Sequence, residues 1–344
     1  MRKIKIGWDI GGAHIKYCVT DTQSKFILYD IIEFDFWKNF KSLKEIIYKI
    51  NNEYKASKLS IRNYFTMSAE MCDCFSNRSE GVNFIINQIR KLNIKSFIFT
   101  YNGLKNIDKI SIKDSENIAS TNWYASALNL RNRDTIAIDL GSTTCDFIVI
   151  KNGKILNKRK SDLTGLMNNE LLYTGCLRTP LYAHMNSINF KNKIYNIIPE
   201  NFSTMADVYI ILEKIQSKNI YSKSADGKPF TSVNCYKRVA RSFGFDYSSS
   251  SRNLIKYLAS IIFKHQMKLI ADMLDINIKK YFSNFDTLSI IGLGIGRDCI
   301  HDISKSKALK YTSIDNILNV EIRNAKKLLE IYPAFVLTQF NDEI

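Results

Sequence analysis

The stretch DLGSTTCDF, residues 139–147, repeats in altered form a stretch near the start of the chain, DIGGAHIKY, residues 9–17. Each runs from an Asp through an apolar residue and one or two glycines to small or hydroxyl residues, then back to apolar sequence. The flanks have strand character: KIKIGWDIGG alternates into a tight turn, and DTIAIDLGS does the same. Each stretch therefore predicts a strand, turn and return strand. Glycine in such a turn removes the Cβ that would hold an anion away from the backbone, and turn amides form an anion-binding concavity. The Asp at the strand end cannot bind a phosphate directly, but it can hold Mg2+, which bridges phosphate oxygens.

The chain has 344 residues, enough for two domains. Hydrophobic residues make up 45% of it. No apolar run approaches the length of about 18 residues that a membrane span needs, so no membrane partner is expected. The opening MRKIKIGWDIGG enters a strand pattern at once, without the apolar stretch and cleavage site of a secretory leader. Seven cysteines, at 18, 72, 74, 145, 176, 235 and 299, are scattered and odd in number, which predicts reduced thiols in a cytoplasmic protein. Basic residues outnumber acidic ones 49 to 33, for a net charge of +16. They are spread along the chain, with the densest knot at KNGKILNKRK, residues 151–160. A nucleic-acid partner is therefore not expected, and the field favours small anionic substrates.

After the first hairpin, KFILYDIIEF reads as a third strand, and NFKSLKEIIYKINNEYKA sets Leu43, Ile46, Ile47 and Ile50 on one helical face. RNYFTMSAE is a strand ending at Ser68-Ala69-Glu70, GVNFIINQIRKLN a helix, SFIFTYNG a strand, and NWYASALNLRN a helix ending near Asn132. The pattern restarts at DTIAIDLGSTTCDFIVIKNGKIL, with Asn-Gly as a hairpin turn. A helical and irregular insertion is expected over about 162–280. A buried strand in TLSIIGLGIG and a late helix in NVEIRNAKKLLEIYPAFVLTQF follow it. Strands and helices alternating in two similar rounds predict an α/β chain of two related domains, residues 1–133 and 134–344.

One Asp-x-Gly-Gly is an ordinary turn signal. The pair, one per round, with a late Gly-rich turn IGLGIG at 291–296, is more specific. Together they resemble the superfamily of actin, Hsp70 chaperones and sugar kinases, where such hairpins are the phosphate loops of two duplicated ribonuclease-H-like domains. The resemblance implies two domains of that type around a phosphate-binding cleft, with Asp9 and Asp139 facing one another across it. Asp9, Gly11, Gly12 and Ala13 are the predicted phosphate contacts of the first loop. Asp139, Gly141, Ser142, Thr143 and Thr144 are those of the second, with Gly292 and Gly294 as bare backbone against a ligand group. Asp9 and Asp139 are the predicted Mg2+ ligands.

Other constellations carry less. The four histidines, 14, 184, 265 and 301, lack metal-ligand spacing, and Cys72-Asp73-Cys74 lacks the partners of a zinc set. No GxSxG elbow occurs. GLGIGRD comes too late in the chain for a dinucleotide fingerprint. MSAEMCDCFSNRSEG, residues 67–81, packs Ser68, Glu70, Asp73, Ser76, Asn77 and Arg78 just after a strand, where the carboxyl end of a sheet meets ligands. The alternative is a solvated helix start; a helix from Ser68 would set Glu70 and Asp73 on one face. TGCLRTPL, residues 174–181, holds Arg178 as an anion-facing loop would. STMADVY (203–209) and SADGKPFTSVNCYKRVARSFG (224–244) have the same character, the alternative being a helix cap for the first and a turn for the second. Asp226-Gly227-Lys228 reads as a turn, and the following helix carries Lys237, Arg238 and Arg241.

GWDIGGAHIK, TMSAEMCDCFSNRSEGV, IDLGSTTCDFI, TGCLRTPL, STMADVY and ADGKPFTSVNCYKRVAR, in this order, resemble the MfnF-like family of methanofuran biosynthesis. Its members are also labelled hydantoinase-like or tetrahydromethanopterin-linked C1-transfer proteins. The resemblance spans nearly the whole chain, although His14 stands where the family tends to carry a small polar residue. It implies a transferase that joins an aminomethylfuran-methyl diphosphate to the phenol oxygen of a γ-glutamyl-tyramine or tyrosine-type acceptor, releasing diphosphate. ATP is possible but not required. Charge growing on diphosphate would be neutralised by Mg2+ near Asp9 and Asp139, with Lys16 and Arg178. A phenol of pKa about 10 needs a general base, for which Glu70 or Asp73 are the candidates. Two competing expectations remain: an ATP-dependent small-molecule kinase or hydantoinase-type enzyme on the same fold, and a non-enzymatic nucleotide switch.

Overall fold

The computed structural model describes residues 3–21, 26–55, 60–283, 287–314 and 328–340. The first sheet is built from β1 (Lys3–Ile10), β2 (His14–Asp21), β3 (Phe26–Glu33), β4 (Ser60–Met67), β5 (Ser96–Thr100) and β6 (Gly103–Asn106). Their order is β3-β2-β1-β4-β5-β6. The hairpin β1–β2 is antiparallel, whereas β4 joins β1, and β5 joins β4, in parallel. Helices α1 (Leu43–Lys55) and α2 (Arg78–Arg90) make the crossovers that such parallel neighbours need. Leu43, Ile47 and Ile50 of α1 are buried and Ile46 partly so, as their spacing requires. Each buried residue of this size contributes roughly 1.5–3 kcal/mol. Helix α3 (Asn122–Asn129) closes this round.

The second sheet contains β7 (Thr135–Leu140), β8 (Cys145–Lys151), β9 (Lys154–Ile155), β10 (Leu171–Leu172), β13 (Ser289–Leu293) and β14 (Lys310–Tyr311), in the order β10-β8-β7-β13-β14 with β9 paired to β8. Both sheets put the first strand of the Asp-bearing hairpin at the centre, its hairpin partner on one side and a later strand on the other. The insertion holds a small hairpin, β11 (Ser187–Phe190) and β12 (Lys193–Asn196). Its longer helices are α4 (Met205–Ile211), α5 (Ser232–Ser242) and the 30-residue α6 (Arg252–Tyr281). Helix α7 (Arg297–Ser306) follows β13.

The single cut at 133/134 expected from sequence does not describe the contacts. One compact unit comprises Met1–Thr135, Ile148–Gly165 and Ser313–Ile344; the other comprises Ile136–Phe147 and Leu166–Thr312. The C-terminal part returns to the first unit because α8 (Tyr332–Gln339) is buried nearly all round against β1, β2, β4 and α3. Gly7 explains the closeness: a Cβ there would overlap the Ala334 carbonyl. Of the late helix expected from Asn319 onward, the first residues, up to 327, lie outside the described ones. Among the described residues, no helix is long and apolar enough to cross a membrane.

Candidate functional site

In the first unit the hairpin turn is closed by Gly11 N–H donating to the His14 carbonyl at 2.9 Å. The Gly12 and Ala13 carbonyls accept from Phe36 and Phe34. Among the described residues, the Gly12 and Ala13 amides donate to no backbone carbonyl, and both residues are half-exposed. Asp9, the penultimate residue of β1, is 4% exposed. Burial pushes its carboxyl up, and Lys16, its cross-strand partner with Nζ 4.0 Å from Oδ2, acts against that. Asp9 Oδ1 is buried and accepts no hydrogen bond among the described residues.

Beside this turn, the Ser68 and Ala69 amides donate to the Ile10 carbonyl, at 2.9 and 3.1 Å, and bring 68–77 against the end of β1. A Cβ on Gly12 would meet Cys72 Sγ at 3.0 Å. No helix starts at Ser68; α2 starts at Arg78, just ahead of the expected helical stretch 81–93. Asn77 caps it by accepting from Glu80 N–H at 2.9 Å, and 68–77 is a run of turns, so Glu70 and Asp73 share no helical face. Asp73 is exposed. Glu70 is fully buried: Oε1 accepts from Ser120 Oγ at 2.7 Å and lies 3.4 Å from Arg78, while Oε2 has no partner among the described residues. Burial pushes Glu70 up, with Ser120 and Arg78 opposing. Ser120 reaches it from a backbone with φ of 51°, a left-handed conformation uncommon outside glycine.

In the second unit Gly141 N–H donates to the Thr144 carbonyl at 2.9 Å, the same closure as in the first hairpin. The Ser142 and Thr143 amides donate to no backbone carbonyl among the described residues. The 174–181 stretch packs directly on this turn. Cys176 N–H donates to the Gly141 carbonyl at 2.9 Å, and the Leu177 and Arg178 amides donate to that of Ser142 at 3.1 and 2.9 Å. Arg178, with an exposed side chain, is thereby fixed at the second turn. Gly175 must lack a Cβ, because one would overlap the Ser142–Thr143 peptide. Gln266 of α6 holds the stretch from behind: it donates to Thr174 Oγ1 and the Gly175 carbonyl, at 2.8 and 3.0 Å, and accepts from Tyr209 Oη at 2.8 Å.

Gly292 and Gly294 serve differently from the bare ligand surface expected of them. A Cβ on Gly294, whose φ is 74°, would overlap Asp139 Oδ1 and the Leu140 carbonyl; one on Gly292 would crowd the Arg297 carbonyl and Tyr311 Oη. Gly296 N–H donates to the Leu140 carbonyl at 2.9 Å. Their small size lets β13 and the start of α7 close onto the end of β7, which places the Asp139 carboxylate. The nearby Cys176 thiol is fully buried and pushed well above its ordinary range, so it is no nucleophile.

Sequence reasoning missed what joins 203–209, 224–228 and 232–242. Arg238 is 1% exposed, and it donates from Nε to Asp207 Oδ1 at 2.8 Å and from Nη1 to Asp226 Oδ1 at 2.9 Å. Desolvation of Asp226 is outweighed by the Lys228 amide and the Arg238 guanidinium, which hold its carboxyl below the ordinary range. Thr204 and Asp207 form the capping box of α4. Only a charged residue recurring in each of three motifs could have hinted at this core. Among the described residues, no group of three or more His, Cys, Asp or Glu is placed to hold a metal by itself.

Residues 63–298 match the hydantoinase/oxoprolinase family. The chain is 30% identical to the (4-{4-[2-(gamma-L-glutamylamino)ethyl]phenoxymethyl}furan-2-yl)methanamine synthase of Methanocaldococcus jannaschii, over 98% of both chains. It is 33% identical to the enzyme of the same name from Methanococcus vannielii, over 59% of this chain and 89% of that one. Among solved structures, nucleotide-free acetone carboxylase superposes with a TM-score of 0.58 at 8% identity, covering 98% of this chain and 70% of the other. That superposition shows a shared α/β fold, here with two mixed sheets.

Proposed function

The chain belongs to the hydantoinase/oxoprolinase family, and from that premise we propose that it is a transferase of methanofuran-type cofactor assembly. The reaction is ether formation between a furanylmethyl diphosphate and a phenolic acceptor of the glutamyl-tyramine or tyrosine type. The end-to-end match with the M. jannaschii synthase, whose name describes a phenoxymethyl-furan product, carries the reading. The bond between the furanylmethyl carbon and diphosphate breaks with its electron pair leaving on diphosphate. The electron-rich furan stabilises the cationic carbon, the phenol oxygen forms the new C–O bond, and the phenol proton passes to a base.

The chain's task is then mainly electrostatic. The Gly12 and Ala13 amides, and in the second unit those of Ser142 and Thr143, suit phosphate oxygens. Lys16 beside Asp9, and Arg178 on the second turn, add charge against diphosphate. The buried, unmet Oδ1 of Asp9 fits a Mg2+ ion that keeps most of its shell as water and phosphate. Asp139 is the carboxylate proposed for the same purpose in the second unit. When bound, the ion neutralises charge on the leaving group. Glu70 Oε2, unmet and in a desolvated setting, is the proposed proton acceptor; exposed Asp73 is the alternative.

Mass spectrometry of the product from a furanylmethyl diphosphate and candidate phenols tests the reading. An ether product with release of diphosphate is expected. ATP hydrolysis that responds to a small substrate, with no ether formed, would replace it with a kinase or hydantoinase-type activity.

A further inference from the structure

Away from the hairpin turns, the first unit holds a cavity of about 620 Å3 next to the end of β5. Its wall is aromatic: the Tyr101 ring centre lies 6.2 Å from that of Trp123 and 5.1 Å from that of Tyr124. Its rim is the densest basic stretch of the chain. Lys154, Lys158, Arg159 and Lys160 line it, together with Arg131, and no lining residue is acidic. The Arg159 guanidinium lies 5.5 Å from the Trp123 ring centre, and Asp162, 3.6 Å from Arg159, offsets part of its charge.

Among the described residues, two donors in the wall lack acceptors. Trp123 is 5% exposed and its Nε1–H is buried without a partner, as is Tyr101 Oη. The two groups are close, yet outside hydrogen-bonding geometry. A buried donor left unmet costs about 1–3 kcal/mol. Burial pushes the Tyr101 phenol up, so it stays a donor at neutral pH, and Arg159, Arg78 and Glu70 are near enough for their charges to act on it. Strand order adds a placement. With β1, β4 and β5 parallel and adjacent, Asp9, Glu70 and Tyr101 follow one another along one sheet edge. The proposed base thus stands between the first phosphate turn and the cavity.

We infer that this cavity seats the acceptor of the reaction, an aromatic ring bearing a phenol at one end and a carboxylate at the other. The ring packs against Tyr101 and Tyr124, the phenol oxygen accepts from Tyr101 Oη and Trp123 Nε1, and the carboxylate meets the basic rim. The two donors also stabilise the phenolate as its proton leaves. Naming the ligand an acceptor rests on the ether-forming reading; the chemistry of the wall and rim calls for an aromatic carboxylate independently of it.

Calorimetric titration without any furanylmethyl donor tests this, with N-succinyltyramine, neutral N-acetyltyramine and cationic tyramine as probes. N-succinyltyramine binds the wild-type protein roughly tenfold more tightly than N-acetyltyramine, and tyramine binds most weakly. Tyr101→Phe and Trp123→Phe each weaken both N-acyl probes by about five- to tenfold, the loss of one hydrogen bond. The double variant Lys154→Glu/Lys160→Glu, on exposed positions that do not threaten folding, removes the preference for the carboxylate and leaves N-acetyltyramine binding unchanged. Equal binding of all three probes, or a carboxylate preference undiminished in the rim variant, overturns the inference. If N-succinyltyramine binds as described but yields no ether with the diphosphate donor, the cavity assignment stands and the ether-forming reading falls. If ether forms with unchanged KM in the Tyr101, Trp123 and rim variants, the cavity assignment falls and the reaction stands.

Discussion

The two hairpins share a hydrogen-bond closure and differ in where the glycine sits. In the first, Gly11 and Gly12 are in the turn itself, and the neighbour pressed on Gly12 is the flexible Cys72 side chain. In the second, Ser142 and Thr143 follow Gly141 in the turn, and the further glycines are on what packs against it: Gly175 on the Ser142–Thr143 peptide, Gly294 and Gly296 on the end of β7. A close backbone approach requires one partner without a Cβ, and either partner can supply it. A similar contrast holds for the buried acids. Asp207 is enclosed with a fully buried Arg238 at 2.7 Å, whereas Glu70 has a looser Arg78 at 3.4 Å that is 31% exposed.

The largest expected effect breaks the second of these pairs. Arg238→Leu leaves Asp207 buried and unpaired, and should destabilise the protein by roughly 3–5 kcal/mol in urea unfolding. Arg78→Gln, with Glu70 still held by Ser120, should cost about 1 kcal/mol. Equal costs would show that the enclosure of Asp207 is immaterial. Next come the loop carboxylates: Asp9→Asn and Asp139→Asn should each lower turnover by roughly 10²–10³-fold while the unfolding midpoint holds or, for buried Asp9, rises. Near wild-type turnover in either variant with Mg2+ present would remove that residue from the diphosphate chemistry.

Acid should weaken the second unit through His184, which burial, reinforced by His265, lowers to about 4. The unfolded histidine titrates near 6.5, so between those values the unfolded chain binds the extra proton. Stability is therefore full above about pH 6.5 and declines toward pH 4, by up to roughly 3 kcal/mol. His184→Asn should flatten urea midpoints measured across that window; an unchanged slope would mean that another group carries the pH dependence. Glu70→Gln keeps an acceptor for Ser120 and loses the base, so turnover should fall on the order of 10²-fold. Partial recovery is expected with nitrophenols, which are already ionised; normal turnover would rule Glu70 out. The smallest effect sharpens the glycine contrast. Gly175→Ala should cost about 1–3 kcal/mol. Gly141→Ala, whose new methyl would find its nearest neighbour at 3.5 Å, should change the urea midpoint little.

What depends on neighbours in the chain was legible in the sequence. Both hairpins, the crossover helices and the central strands follow from alternation, helical spacing and Asp-Gly turn chemistry, and the duplication pointed to the fold. The short turn of the first hairpin also sets the register that puts Lys16 opposite Asp9, a pairing the sequence reading did not draw. What depends on distant contacts was decided by the tertiary structure. Backbone bonds to Ser142 bring Arg178 to the second turn. Arg238 gathers Asp207 and Asp226. Helix α8 returns to the first sheet over Gly7. The basic knot 151–160 becomes the rim of an aromatic cavity. None of these leaves a periodic trace, since a buried ion pair or a missing Cβ is set by which surfaces meet, and that choice is made only when the separate elements pack.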